Sequence, residues 1–350
     1  MTSEEEEMKE YEALIPGLPD EVAEHCLLYL PYPYQSLVRS VSSSWNKTIT
    51  HPAFLLSKKK TLSSLSLPYI FVFSFQKSTP SNFQWQAFDP KSSRWFILPP
   101  MPVYPRGFAC TSRQGTLYVL GGRVSDTEES TLITYSTTTN KWSLAKPMLR
   151  PRSFFAAGCI GSKIFAAGGS EEDVVLSSME CYDSNSDTWT PVANMHSGLA
   201  RYDAAVIGKK MYVTEGWTWP FSFSPRGWVY DAELNSWEEM RLGMREGWTG
   251  ISVVLDDRLF VISEHGDCKV KYYVPEDDTW QYVGGQGFPS GALQRPFSVS
   301  AVEGKIYVVS CGLNLAVGTV FDCFRVEWEV VEAPKAFQNF LPSNSQIVYG

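Results

Sequence analysis

The chain is poor in the residues that most often carry chemistry. It has four histidines (His25, His51, His196 and His265), and the last two stand alone, without an HxH or ExxH spacing. Its seven cysteines (Cys26, Cys110, Cys159, Cys181, Cys268, Cys311 and Cys323) are scattered, odd in number and form no CxxC pair. That pattern argues against a disulfide framework and suits reduced, mostly buried thiols. No Walker-type phosphate loop, GxSxG elbow or Cys/His pairing occurs. Paired carboxylates fall only in solvent-facing runs. No catalytic residue, metal ligand or cofactor is therefore expected.

Positive charge is also short. Thirty Lys and Arg against 38 Asp and Glu leave a net charge of −8, so no basic face is available to neutralise phosphates and no nucleic-acid partner is expected. Lys58-Lys59-Lys60 is the only basic run; it reads as a solvated helix end, with a localisation or partner contact as the alternative. Long apolar runs are missing too. Leu65–Phe75 is too short to span a bilayer and contains Pro68. The acidic start, MTSEEEEMKEYE, lacks the apolar core of a signal peptide. These absences point to a soluble chain of the nucleus or cytoplasm, with no membrane partner.

Aromatic residues, by contrast, make up 14% of the chain and recur in phase. An aromatic followed seven residues later by Trp appears as Phe88/Trp95, Tyr135/Trp142, Tyr182/Trp189, Tyr230/Trp237, Tyr273/Trp280 and Phe321/Trp328, and the tryptophans lie 47, 47, 48, 43 and 48 residues apart. A glycine signal keeps step: Gly121-Gly122, Gly168-Gly169, Glu215-Gly216, His265-Gly266 and Cys311-Gly312. A period just under 50 with several short strands per copy predicts a six-bladed β-propeller. Repeat units fall at about 68–100, 106–148, 152–195, 201–242, 247–288 and 295–335. The first copy lacks an initial strand, and a spare strand at about 345–349 is expected to supply it, closing the ring without exposed edges.

Ahead of the propeller (68–350) the pattern is helical. Residues 1–13 read as an acidic disordered tail, 14–56 as a small all-α unit, and 57–67 as a polar linker. Asp20 is a plausible N-cap. Val22, Cys26, Leu27 and Leu30 make one apolar stripe, and Leu37, Val38, Val41, Trp45 and Ile49 keep helical spacing across Ser42-Ser43-Ser44. About 40 residues cannot bury so many apolar side chains internally, so one face should await a partner.

Residues 18–54 resemble an F-box, on the Leu18-Pro19-Asp20 opening, the Leu30-Pro31 step, the Arg39…Val41-Ser42 stretch and Trp45. The repeats resemble kelch repeats, with paired glycines and the Tyr…Trp spacing; the departures from Gly-Gly in the later copies leave blades two and three the cleanest. Together they place the chain with the plant F-box/kelch-repeat proteins. That resemblance implies docking on the Skp adaptor of an SCF (Skp–cullin–F-box) ubiquitin ligase through Leu18, Pro19, Val22, Leu27, Leu30, Pro31, Leu37, Val41 and Trp45. Cullin and RING subunits would join through the adaptor, and the propeller would hold a protein client for ubiquitination and degradation. Stretches such as VTEGWTWPF and VISEHGD resemble one member of that family, and this likeness implies a place in phytochrome A (far-red) signalling. The alternatives are a helical cap packing on the propeller, and a kelch scaffold without ubiquitin chemistry.

Client contacts are sought on the propeller loops. Arg106, Arg152, Arg201, Arg245 and Arg295 fall one per inter-blade connection, placed either to grip carboxylates of a client or to tie backbone carbonyls between blades. Trp217, Trp219, Phe221 and Phe223 crowd one loop, as a recognition site or as a plug over the channel. Two acidic loops (Asp126, Glu128, Glu129 and Glu171, Glu172, Asp173) read as solvated.

Overall fold

The computed structural model describes residues 13–200, 203–215, 223–263, 269–321 and 325–350, with the side chains of 59, 61–65 and 80–81 left aside. The chain divides into a helical unit, chiefly residues up to 67, and a β unit that follows.

In the helical unit, α1 (Asp20–Leu28) starts one residue earlier than the capping pattern predicts: Pro19 is its N-cap and Asp20 its first residue, whose carboxylate accepts the Leu14 N–H at 2.9 Å. The predicted apolar stripe splits. Ala23 and Leu27 are buried with Leu14, Ile49 and Phe54, while Val22 and Cys26 face solvent. The second helical set is not continuous either. A short α2 (Tyr34–Leu37) and a 3-10 turn end at Ser40, and Ser42 restarts the chain as the N-cap of α3 (Ser43–Thr50), its Oγ accepting the Trp45 N–H at 3.0 Å. A serine cap offers a competing backbone partner, which breaks a periodic apolar pattern. No linker follows: α4 (Pro52–Leu65) runs through residues assigned to one. Lys58 is a second correction. It is buried, its Nζ donating to the Leu28 carbonyl at 3.0 Å and to that of Leu30, at the end of α1. Burial pulls its ammonium down to about 8.

The β unit is a propeller of six antiparallel blades, each ordered from the channel outward. Blade two is typical: Ala109–Arg113, Thr116–Leu120, Leu132–Ser136 and Lys141–Ala145. Blades three (Ala156–Val192), four (Asp203–Glu239) and five (Gly250–Tyr282) repeat it. Blade six (Ser298–Val331) adds a two-residue parallel edge strand, Gly284–Gly285. The inner strand of blade one is C-terminal. Phe340–Tyr349 pairs with Pro68–Gln76 from Gln76↔Phe340 to Pro68↔Tyr349, five residues longer at its start than the apolar pattern indicates. Ser300 Oγ of blade six donates to Ser345 Oγ of this strand at 2.8 Å, and Ser112 of blade two donates to Ile347 O. The inner strands surround a channel of about 310 Å³ lined by small residues, among them Thr111, Gly158, Ser252 and Ser345.

The repeat residues hold blades together. Gly121-Gly122 and Gly168-Gly169 all have positive φ, and a Cβ on Gly169 would lie 2.6 Å from the Ser153 carbonyl oxygen, so only glycine fits there. The outer Trp spans to the preceding blade: Trp142 Nε1 donates to Pro99 O, Trp189 to Lys146 O and Trp237 to Ala193 O, each at 2.8 Å. One correction concerns blade six. Trp328 opposes Gly318 and not Phe321, which is exposed and opposes Arg325.

Candidate functional site

Two surfaces remain once the core is accounted for. The first is on the helical unit. Leu18, Val22, Tyr29, Leu37, Val41 and Leu56 are all exposed, Val22 at 47%, Leu37 at 57% and Val41 at 60%. Pro19 and Pro31 are exposed with them, and Leu30 is half-buried. Many large apolar side chains left wet in so short a segment mark an interaction surface. Two of the sequence-selected docking residues belong elsewhere. Leu27 is 1% exposed, in the core. Trp45 packs partly against that core and donates its indole N–H to the Leu14 carbonyl. Both belong to the packing of the helical unit and not to its exposed apolar surface.

The second surface is the end of the propeller where the inter-blade connections and the second-to-third-strand loops meet. The antiparallel order of each blade puts both at one end, and backbone bonds join them: Arg106 pairs with Arg123 (N–O 2.9 and 2.7 Å) and Ser153 with Ser170 (3.0 and 2.8 Å). These two bridges also show that the arginines do not form one structural series. Arg106 is equivalent to Ser153, not to Arg152. The Arg152 carbonyl accepts from Gly122 as that of Leu199 accepts from Gly169, so a buried leucine holds its position in the next repeat.

Arg152 is a structural residue. It is fully buried, its Nη1 donating to Gly168 O (2.8 Å) and Ser178 O (3.0 Å) and its Nη2 to Glu180 Oε1 (2.5 Å). Glu180 also accepts from the Leu149 and Arg150 backbone N–H groups at 2.6 and 3.1 Å. No client reaches this guanidinium without opening blade three. The signal was a lone Glu inside the apolar strand Met179–Asp183, since a buried carboxylate needs a cation.

The remaining candidates separate. Arg106 and Arg295 are exposed. Arg245 lies on the short helix α5 (Leu242–Gly247), paired with Glu239. Phe223 is 87% exposed, whereas Arg201, Trp217, Trp219 and Phe221 lie outside the described residues. The acidic loops are not uniformly solvated. Glu128 is buried against Arg123 (3.4 Å) and Glu171 pairs with Arg150 (2.5 Å), while Asp126, Glu172 and Asp173 are exposed.

Another acid that the sequence pattern did not single out is Asp203, half-buried on the inner strand of blade four. Its carboxylate accepts from Trp248 Nε1 (3.0 Å) and the Ser252 N–H (2.9 Å), tying blade four to blade five, and burial pushes its pKa up despite those bonds. Among the described residues no group of three or more His, Cys, Asp and Glu is placed to hold a metal, and no helix is long and apolar enough to cross a membrane.

Comparison with known proteins agrees with this division. Residues 15–57 match the F-box domain, and residues 105–149 and 151–196 match the Kelch motif, the two copies being blades two and three. The chain is 49% identical to the F-box protein AFR of Arabidopsis thaliana, over 99% of its own length and 95% of that protein's. It is 41% identical to a second F-box/kelch-repeat protein of that plant over 97% of its length and 87% of the relative's. The Arabidopsis F-box/kelch-repeat protein SKIP30 is 32% identical over a shorter region, 31% of this chain and 30% of that protein. With helices carrying an exposed apolar face and a kelch propeller after them, the chain belongs to the F-box/kelch-repeat family.

Proposed function

We propose that the chain is a substrate receptor of an SCF-type ubiquitin ligase. The exposed apolar set Leu18, Val22, Leu37 and Val41 carries this reading. A Skp-family adaptor buries that set and links the chain to cullin and RING subunits. The loop end of the propeller holds a protein client. The chain's contribution is proximity: it raises the client's effective concentration beside the conjugating enzyme and itself supplies no nucleophile or base. The likeness to AFR extends the reading to far-red light signalling. The described cysteines form no disulfide, which fits a reducing compartment, the nucleus or cytoplasm.

The test is adaptor capture by the full chain and by Val22→Asp/Val41→Asp. Both positions are exposed, so folding is expected to be unchanged, whereas two carboxylates forced into an apolar interface should abolish capture. Failure of the wild-type chain to capture the adaptor, or equal capture by the variant, would sink the proposal.

A further inference from the structure

The loop end of blades two and three carries one residue whose backbone is out of character. Of the non-glycine residues with positive φ among those described, only two are apolar, Phe154 (φ 51) and Leu313 (φ 59). Leu313 is completely buried, so packing accounts for it. Phe154 is 36% exposed. The equivalent residue of blade two is Gly107 (φ 62), which follows Arg106 as Phe154 follows Ser153. The Phe154 N–H donates to Gly107 O at 2.7 Å, and its ring lies 2.9 Å from where a Gly107 Cβ would sit. A left-handed backbone costs a bulky L-residue about 1–2 kcal/mol, and strain kept at a partly exposed aromatic points to a binding role.

The surroundings say what it would bind. Ser153 bridges to Ser170 of the hairpin Ser170–Glu171/Val174–Val175, on which both valines are exposed; Arg150, beside exposed Leu149, pairs with Glu171 of the same hairpin. The cations among these loops are mostly engaged: Arg123 with Glu128 and the Asp126 carbonyl, Arg150 with Glu171. The hairpin tips carry Glu172, Asp173 and Asp126, all exposed, against Arg106 and against Arg150, whose charge Glu171 already balances. This loop end thus carries four exposed apolar side chains, Leu149, Phe154, Val174 and Val175, and a net acidic edge.

We propose that this ridge, anchored by Phe154 with Leu149, Val174 and Val175, is the client-docking surface. Its occupant is a protein segment with an aromatic or aliphatic anchor close to Lys or Arg. This inference rests on the substrate-receptor reading and specifies the client's chemistry. It reverses the expectation that rim arginines grip an acidic client.

A random peptide library displayed on phage, selected on the full chain, tests it. Enriched peptides should pair an apolar anchor with Lys or Arg within two or three residues and should weaken as salt rises. Phe154→Gly should bind them at least tenfold more weakly while still unfolding in one cooperative transition, because the relief of the left-handed backbone offsets part of the packing lost with the ring. Glu172→Lys/Asp173→Lys, at exposed positions, should also lose at least tenfold. Acidic consensus peptides, undiminished binding to Phe154→Gly, or no enrichment at all would overturn the ridge. Adaptor capture on the same preparations keeps the two readings apart. A chain that captures adaptor but no peptide refutes the ridge alone, and one that binds peptide through Phe154 without adaptor refutes only the ligase role.

Discussion

Blades three and six are copies of one repeat, yet they fasten themselves to the preceding blade by different means. In blade three, Trp189 Nε1 donates to Lys146 O (2.8 Å), Asp187 Oδ1 accepts the Lys146 N–H (3.0 Å), and the Tyr182 hydroxyl donates to the same carboxylate oxygen (2.8 Å). Three side chains thus hold both backbone groups of one residue of the connection. Blade four repeats the grip with Tyr230, Asn235 and Trp237 on Ala193, and blade five with Tyr273, Asp278 and Trp280 on Gly243. In blade six the Trp328 ring lies over Gly318, its buried Nε1 has no acceptor, and Phe321 is exposed. The attachment there is mainly backbone: Gly284–Gly285 pairs with Arg325–Val326 and the Gln286 N–H donates to Val326 O at 2.9 Å, with the Gln286 side chain accepting the Trp328 N–H. The same sequence signal therefore marks a side-chain clamp in one blade and a plain wedge in the other.

The largest effect expected is at the buried ion pair that, among the described residues, only blade three carries. Arg152→Met keeps the apolar length but leaves Glu180 buried without its cation, a change of about 3–5 kcal/mol. Urea unfolding of the full chain should show the midpoint falling sharply, while Arg106→Met, at an exposed position, should leave it within error. A loss under about 1 kcal/mol at Arg152 would mean that the pair behaves as a surface salt bridge.

Next in size is the clamp itself. Trp189→Phe strands a carbonyl that accepted a hydrogen bond, costing about 1–3 kcal/mol beyond the lost packing. Trp328→Phe removes an indole N–H that has no partner, so its cost is packing alone. The comparison breaks if the two variants unfold at the same urea concentration.

Where the repeat was legible, the reason is geometric. Glycine pairs at positive φ and an aromatic opposite each outer Trp are demands of backbone and wedge, and they recur because every blade makes them. The clamp's third member was legible too and went unread. The fifth residue after the aromatic is Ser93, Asn140, Asp187, Asn235 or Asp278, each at positive φ near 50°, where short polar side chains are tolerated. In blade six that place falls to Val326, a β-branched residue lying in a strand, which is why Phe321/Trp328 keeps the spacing but loses the pairing. The exposed apolar face of the helical unit was half legible. The surplus of apolar residues announced an exposed face, but which side of α1 it took depended on the break at Ser42 and on Lys58 folding back over Leu28. Such tertiary choices have no local pattern. Arg152 is the clearest case: as a member of a series of five it read as rim, and only Glu180, 28 residues on, makes it core.

The smallest effect is on acid sensitivity, and it sets blade three against blade four. The Lys146 N–H and the Tyr182 hydroxyl hold the Asp187 carboxyl below the usual carboxylate range. A carboxylate whose folded pKa lies below its unfolded value contributes stability that is fully present above the unfolded value, about 4. That contribution disappears as pH falls through the folded value. Blade four makes the same grip with Asn235, which does not titrate, so its clamp has no such acid limb. Asp187→Asn copies blade four into blade three: both amide and carboxylate offer Oδ1 to the same two donors. Unfolding midpoints followed from pH 7 downward should stay close for wild type and variant until about pH 4, below which the wild type should fall more steeply. Asn235→Asp should show the converse, a new acid limb where none existed. Parallel pH profiles for all three chains would mean that the carboxylate's charge does not matter to the clamp, and that its hold on the preceding blade is carried by the tryptophan.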